Sequence, residues 1–206
     1  MQILSGIRVL DLTNVLSGPF CTLHLAMLGA EVIKIENPKG GDLARKLGNS
    51  KELSKQLMGT SFLAQNANKK SITLNLKEEK AKEIFRKLVE VSDVVVENFR
   101  PKVMDRLGLG YNDLKKINPK IIYCAISGFG ADGPDAMKPA YDQIIQGLSG
   151  VMAINGDERL NPLRCGFPVC DTVGGLNAAF AVVAALFHRE RSGVGQFIDI
   201  ALLDSI

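Results

Sequence analysis

Apolar positions in this chain fall into short continuous runs and helical stripes that alternate along its length. Ile7-Arg8-Val9-Leu10-Asp11-Leu12 reads as a short buried strand. Gly18-Pro19 opens a helix, with Pro in the first turn, and Gly29 closes it; Phe20, Leu23, Leu25, Met27 and Leu28 are its expected apolar side. Glu31-Val32-Ile33-Lys34-Ile35-Glu36 is a second strand. Strand, helix and strand within about thirty residues make a βαβ unit, whose strands are parallel. Asn37 to Asn68 is polar and weakly periodic, and reads as a long functional loop with one helical turn around Ser54 to Met58.

The second stretch repeats the theme. Ser71 to Leu76 alternates with the period of a strand. Lys77 to Glu90 is an amphipathic helix with Ala81, Ile84, Phe85, Leu88 and Val89 on one face. Asp93-Val94-Val95-Val96-Glu97 is a buried strand, followed by short helices at Lys102–Leu107 and Tyr111–Ile117. Lys120 to Ile126 is a further strand, Ser127 to Pro139 a loop, and Tyr141 to Leu148 a helix. An alanine-rich helical pattern runs from Asp171 to His188, and Gln196 to Ala201 reads as a last strand. The alternation predicts an α/β fold, a Rossmann-like open and mainly parallel sheet with helices on both faces. The apolar Ile200-Ala201-Leu202-Leu203 at the end of the chain calls for cover by a further segment, a second chain or an oligomer partner.

Composition narrows the class. The 206 residues are 46% hydrophobic and 23% charged, as expected for one good-sized core. With 25 basic and 22 acidic residues, the net charge of +3 does not suggest a nucleic-acid binder and suits an enzyme with a small anionic ligand. Cys21, Cys124, Cys165 and Cys170 form no CxxC pair, and only His24 and His188 could assist them, so no metal site is expected. Scattered cysteines read as reduced thiols in a cytoplasmic protein. No secretory signal pattern is visible, and Ala178 to Phe187 is too short to span a membrane. After the first strand there is no G-x-G-x-x-G, and no Walker loop occurs, which speaks against a nicotinamide dehydrogenase.

The candidate for chemistry is Asp171, in Cys165-Gly166-Phe167-Pro168-Val169-Cys170-Asp171-Thr172-Val173-Gly174-Gly175 at the mouth of the long apolar helix. One reading makes it a helix N-cap. The other makes it a carboxylate nucleophile, held ionised by the same helix end. Local physics alone favours the cap.

Three groups of segments bear on the choice. The first is Val9-Leu10-Asp11-Leu12-Thr13-Asn14-Val15-Leu16-Ser17-Gly18-Pro19-Phe20, continuing to Leu28-Gly29-Ala30-Glu31-Val32-Ile33-Lys34-Ile35-Glu36 and Gly41-Asp42. The second is Asn68-Lys69-Lys70-Ser71-Ile72-Thr73-Leu74 with Asp93-Val94-Val95-Val96-Glu97-Asn98-Phe99-Arg100-Pro101, and the third is Gly193 to Asp204. Together, and in order over essentially the whole chain, they closely resemble the family III CoA-transferases, the CaiB/BaiF group. The resemblance implies that Asp171 attacks an acyl-CoA thioester, forms a mixed acyl-aspartyl anhydride and releases CoA, after which a second carboxylic acid exchanges in. An anhydride keeps the acyl group activated, so one residue serves both halves of the reaction. Coenzyme A is then a substrate carrier, and no resident cofactor is expected.

The resemblance also implies a CoA site at the carboxyl ends of the strands. Leu16 and Ser17 match positions that touch the nucleotide, and Leu74, Asn75, Lys77, Asn98, Phe99, Arg100 and Arg106 match others. Lys138, Tyr141 and Asp142 complete the set, with Asp142 expected to help position the thioester. Plainer readings stay open for Lys77, as helix surface, and for Phe99, as core. The Lys39-Gly40-Gly41-Asp42 turn reads as structural. The racemase branch of the family carries a histidine where Tyr141 stands, and no histidine lies between Cys124 and Asp171, so transferase is preferred over racemase or epimerase. Family members are much longer. Residues 1–206 would be the large CoA-binding domain, ending before a smaller one, either as a fragment or as half of a two-chain enzyme, and a non-catalytic CoA-binding subunit is the alternative. The resemblance further implies an interlocked homodimer, with acyl-CoA and an acid acceptor as partners and no nucleic acid or membrane.

Overall fold

The computed structural model of the chain describes residues 2–206. In chain order, β1 (Arg8–Asp11), α1 (Ser17–Met27) and β2 (Glu31–Glu36) form the first unit. A 3-10 turn at Leu43–Lys46, α2 (Lys51–Lys55) and α3 (Thr60–Gln65) precede β3 (Lys70–Thr73). Then come α4 (Glu79–Glu90), β4 (Val94–Glu97), α5 (Val103–Arg106), α6 (Tyr111–Ile117) and β5 (Ile122–Ser127). The last part holds α7 (Asp142–Leu148), α8 (Val151–Ile154), α9 (Val169–Ser192), β6 (Phe197–Ala201) and α10 (Leu202–Ser205). The stretch from Asn37 to Asn68 therefore holds three helical pieces rather than one, and α8 was not expected from the pattern.

All neighbouring strands pair in parallel, in the order β3-β2-β1-β4-β5-β6. The central strands are buried on both faces, which is why Val94-Val95-Val96 is continuously apolar. On one face Val9, Val94, Val96, Ile122, Cys124 and Ile126 meet α1 and α9. On the other, Leu10, Leu12, Val95 and Tyr123 meet Phe85 and Val89 of α4, Met104 of α5 and Leu114 of α6. Helix α4 buries Ala81, Phe85 and Val89 as expected, but leaves Ile84 exposed.

Helix α1 departs from expectation. Its buried side is made of Ser17, Gly18, Pro19, Cys21, Thr22, Leu25 and Ala26, while Met27 is exposed. Small residues face inward because α9 comes very close. A Cβ added at Gly175 of α9 would stand 2.5 Å from the Ser17 carbonyl oxygen and 3.2 Å from the Phe20 ring. Gly175→Ala should therefore cost about 1–3 kcal/mol, since backbone must move to admit the methyl group. Denaturant midpoints of the two proteins check this, and an unchanged midpoint would contradict the close approach.

The connections explain why α1 and α9 meet. They pack on the same face. Yet β1–α1–β2 and β5–α9–β6 step across the sheet in opposite directions, so their hands are opposite. The β3–α4–β4 and β4–α6–β5 connections run on the other face and share the hand of the first. With that hand the usual right-handed one, β5–α9–β6 is a left-handed crossover, a rare arrangement. Its consequence is functional. The N-termini of α1 and α9 lie side by side at the carboxyl ends of the strands. Helix α9, with 24 residues, is long and apolar enough to cross a membrane by length and composition, unlike the shorter Ala178–Phe187 run. Here it packs on α1, β5 and β6 as a core helix.

Candidate active site

Two adjoining cavities open at the carboxyl ends of β1, β2, β4 and β5, and they share Asn14 and Phe99. The first, of about 260 Å³, brings together Leu16 and Ser17 at the start of α1, Asn98-Phe99-Arg100 after β4, Lys138 and Tyr141 before α7, and Asp171. The second, of about 370 Å³, gathers Leu74, Asn75, Lys77 and Arg106 around Phe99. Of the thirteen expected site residues, Phe99 lines both cavities and eleven others separate into two groups, one around Asp171 and one around Lys77 and Arg106. Only Asp142 lines neither cavity.

Asp142 sits behind the wall, buried, at the start of α7. Its Oδ1 accepts the backbone N–H groups of Cys170 at 2.8 Å and Asp171 at 3.1 Å. Its Oδ2 accepts from Gln146 Nε2 at 2.6 Å. Gln146 is fully buried and its Oε1 accepts from Cys165 N at 2.8 Å, which fastens the segment leading into α9. The side chain expected to position the thioester caps the helix that carries Asp171. Pro168 occupies the N-cap position and has no side-chain acceptor to offer, so a carboxylate from α7 supplies it. Asp171 lies within the first turn and is not the N-cap.

Nor does the helix end hold Asp171 strongly ionised. Burial, and next the Asp142 carboxylate, push its carboxyl from 3.8 up to about 7. That rise corresponds to about 4 kcal/mol. A helix N-terminus offers only about 0.3–1 kcal/mol in the other direction. Asp171 is consequently a carboxylate of unusual basicity that still ionises near neutral pH, which suits a nucleophile.

Cations surround the cavities. Arg100 and Lys138 line the first cavity together with Asp171, and Lys138 Nζ lies 2.7 Å from Asp135 Oδ1. Lys77 and Arg106 are exposed beside the second cavity, so Lys77 is both helix-entry surface and cavity wall. Phe99 is half-buried between the cavities rather than fully in the core, and its N–H donates to Glu97 Oε2 at 2.7 Å. Both ends of the Asn98 amide are engaged by Asn14, whose N–H donates to Oδ1 and whose carbonyl accepts from Nδ2, each at 2.8 Å. Ser127, Gly128 and Leu202 also line the first cavity and were not picked out from sequence. His24 and His188 line neither cavity.

Buried charge supports the cavity rim. Burial would raise the Asp11 carboxyl, but Lys34 and Lys69, with hydrogen bonds from Thr13 and Thr22, outweigh it and bring it to about 2. Glu36 is likewise opposed by burial and brought to about 2 by the Arg45 guanidinium, Ser71 and the Asp42 N–H. Both folded values lie below the unfolded ones. The stability they contribute is present above about pH 4 and is lost as pH falls toward 2. Denaturant midpoints should thus drop steeply between pH 4 and 2.5, and Asp11→Asn should flatten that drop; an unaltered slope would contradict the ion-pair account. The Lys39–Asp42 turn is structural, with Asp42 fully buried. Among the described residues no group of His, Cys, Asp and Glu forms a metal-binding cluster, and the four cysteines are free.

Comparison with known proteins supplies the chemical context. The sequence pattern of CoA-transferase family III matches residues 4–206. The chain is 45% identical over 205 residues to a succinyl-CoA:glutarate CoA-transferase of Mus musculus, covering 100% of this chain and 46% of that one. It is 46% identical to an acetyl-CoA:oxalate CoA-transferase of Acetobacter aceti, covering 97% and 50% respectively. The chain spans about half the length of the curated relatives it matches. Among solved structures, a CaiB/BaiF family protein from Brucella suis superposes with a TM-score of 0.92 at 40% identity, over 99% of this chain and 54% of its own.

Proposed function

The chain belongs to CoA-transferase family III, and from that premise we propose that its protein moves CoA between carboxylic acids through Asp171. The observation that carries the reading is the Asp171 carboxyl in the cavity shared with Ser17, Asn98 and Arg100. An ionised Asp171 oxygen attacks the thioester carbonyl. The C–S bond breaks, and CoA leaves as a thiolate near the cationic rim. The acyl group is now joined to Asp171 as a mixed anhydride. The acceptor carboxylate attacks the aspartyl carbonyl and displaces the donor acid, giving the acceptor's anhydride. The CoA thiolate attacks the acceptor's acyl carbon and frees Asp171. Each exchange trades one activated carbonyl for another, so no outside energy source is needed.

The second cavity, with Lys77 and Arg106, takes the nucleotide end of CoA, whose phosphates those cations match. The first takes the thioester and acid, which puts Leu16 and Ser17 beside the acyl end of CoA rather than the nucleotide that the resemblance implied. Arg100 and Lys138, in the same cavity as Asp171, favour a second carboxylate on the acid, and the similar enzymes named for glutarate and oxalate agree with that choice. The proposed acceptors are therefore small dicarboxylic acids. A homodimer is the proposed assembly, supported by Phe180, Phe187, Leu148 and Ile154, which are exposed on α7, α8 and α9.

Mixing the intact protein with succinyl-CoA and a panel of acids tests this. New CoA esters of dicarboxylic acids, at least about tenfold faster than those of matching monocarboxylic acids, are expected from the added charge pair. CoA binding without any exchange, in the intact protein, would favour a non-catalytic subunit.

A further inference from the structure

The loop joining β1 to α1 forms one wall of the Asp171 cavity, and one of its residues has a backbone conformation that valine avoids. Val15 has φ of +66°. For a β-branched side chain this left-handed region is costly, and it persists only where the surroundings enforce it. Dinucleotide-binding loops at the same place in related sheets use glycine. Here the first glycine after β1 is Gly18.

The enforcement is visible. Thr13 N–H donates to Asp11 Oδ1 at 2.9 Å, and the Thr13 carbonyl accepts from Lys34 Nζ at 2.7 Å. Asn98 holds both polar groups of the Asn14 backbone. The Val15 N–H donates to Asp42 Oδ1 at 3.0 Å, and the same oxygen accepts from Ala44 N at 2.9 Å. Asp42 Oδ2 stands 3.1 Å from Lys34 Nζ. The two side chains are 0% and 1% exposed, and neither lines a cavity. A buried pair of this kind is weak evidence for stability in itself. What it touches is the loop, at the Thr13 carbonyl and at the N–H of the strained residue itself.

We propose that the Lys34–Asp42 pair is a positioning device. It holds Val15 left-handed and thereby sets Leu16 and Ser17 against the bound CoA ester. The proposal rests on the reading of the two cavities as the CoA site. Without the clamp, Val15 relaxes toward the ordinary region, and the ligand must restore the wall as it binds. Affinity then falls by the fraction of molecules left competent.

The test is a double-substitution cycle, with CoA titrated calorimetrically into the intact protein. Asp42→Asn places an amide nitrogen against either the Lys34 ammonium or the Val15 N–H, so one contact fails whichever way the amide turns. In the wild-type background CoA affinity should fall about tenfold. In a Val15→Gly background the same substitution should cost less than about twofold, because glycine takes positive φ unaided. Equal losses in both backgrounds would mean that the pair only supports the core, and would overturn the proposal. So would no loss in the wild-type background. Should Asp42→Asn fail to fold, Lys34→Met combined with Asp42→Asn removes both charges, and the same cycle with the same expectations applies. Failure of the wild-type protein to bind CoA would overturn the site reading and the proposal together, whereas wild-type binding with equal losses overturns the proposal alone.

Discussion

Asp171→Asn will abolish CoA transfer and, above pH 7, make the protein more stable. The two effects have one origin. Burial and Asp142 raise the Asp171 carboxyl to about 7, so the folded state keeps a proton that the unfolded state releases near 4. The folded state is favoured relatively at low pH. The penalty grows as pH rises from about 4 to 7 and is complete above 7. Its ceiling is about 4 kcal/mol, and Asp171 is only half-buried, so a gain of about 1–3 kcal/mol is expected at pH 8. At pH 4 the gain should vanish. Transfer should drop by at least about a thousandfold, because an amide cannot form the anhydride. Denaturant midpoints at both pH values, measured beside the exchange rate, check this. A variant that is less stable at pH 8 would contradict the buried-charge account of Asp171.

The second large effect belongs to Asp142, and two substitutions separate its roles. Asp142→Ala leaves the N–H groups of Cys170 and Asp171 without their acceptor, and Gln146 without its partner. Unpaired groups at a buried helix end cost about 2–4 kcal/mol together, and the turn bearing Asp171 will shift. Asp142→Asn keeps an oxygen for those N–H groups and removes the negative charge. The Asp171 carboxyl then loses one of the two causes of its elevation, so it ionises at lower pH. The acid limb of the kcat/KM–pH profile should move toward lower pH in Asp142→Asn. A limb that stays in place would mean that burial alone sets the value, or that Asp171 is not the titrating group.

Much of this was legible in the residues themselves. Runs such as Val94-Val95-Val96 announce strands covered on both faces, and the amphipathic stripe at Ala81, Phe85 and Val89 marks α4. The family motifs singled out Leu16, Asn98 and Asp171, which the structure gathers around one cavity. Other features depended on long-range packing that no local pattern carries. Hydrophobicity found Leu25 on α1 but missed most of its buried side, because the close approach of Gly175 selects small residues there. The hand of β5–α9–β6 is a property of the whole sheet. Asp142 could not be recognised as a cap, because its partners are 28 and 29 residues away. One signal was present and went unread. Lys34 lies inside an apolar strand and Asp11 ends another, and charges at buried strand positions must find partners. Those partners turned out to frame the loop with the left-handed valine.

The central claim is that Asp171 carries the acyl group. Incubating the intact protein with an acyl-CoA, quenching with hydroxylamine and mapping the peptides by mass spectrometry tests it most directly. The account predicts a hydroxamate on Asp171 that appears with acyl-CoA and is absent with free CoA or free acid alone. An unmodified Asp171 in a protein that still exchanges CoA would contradict it.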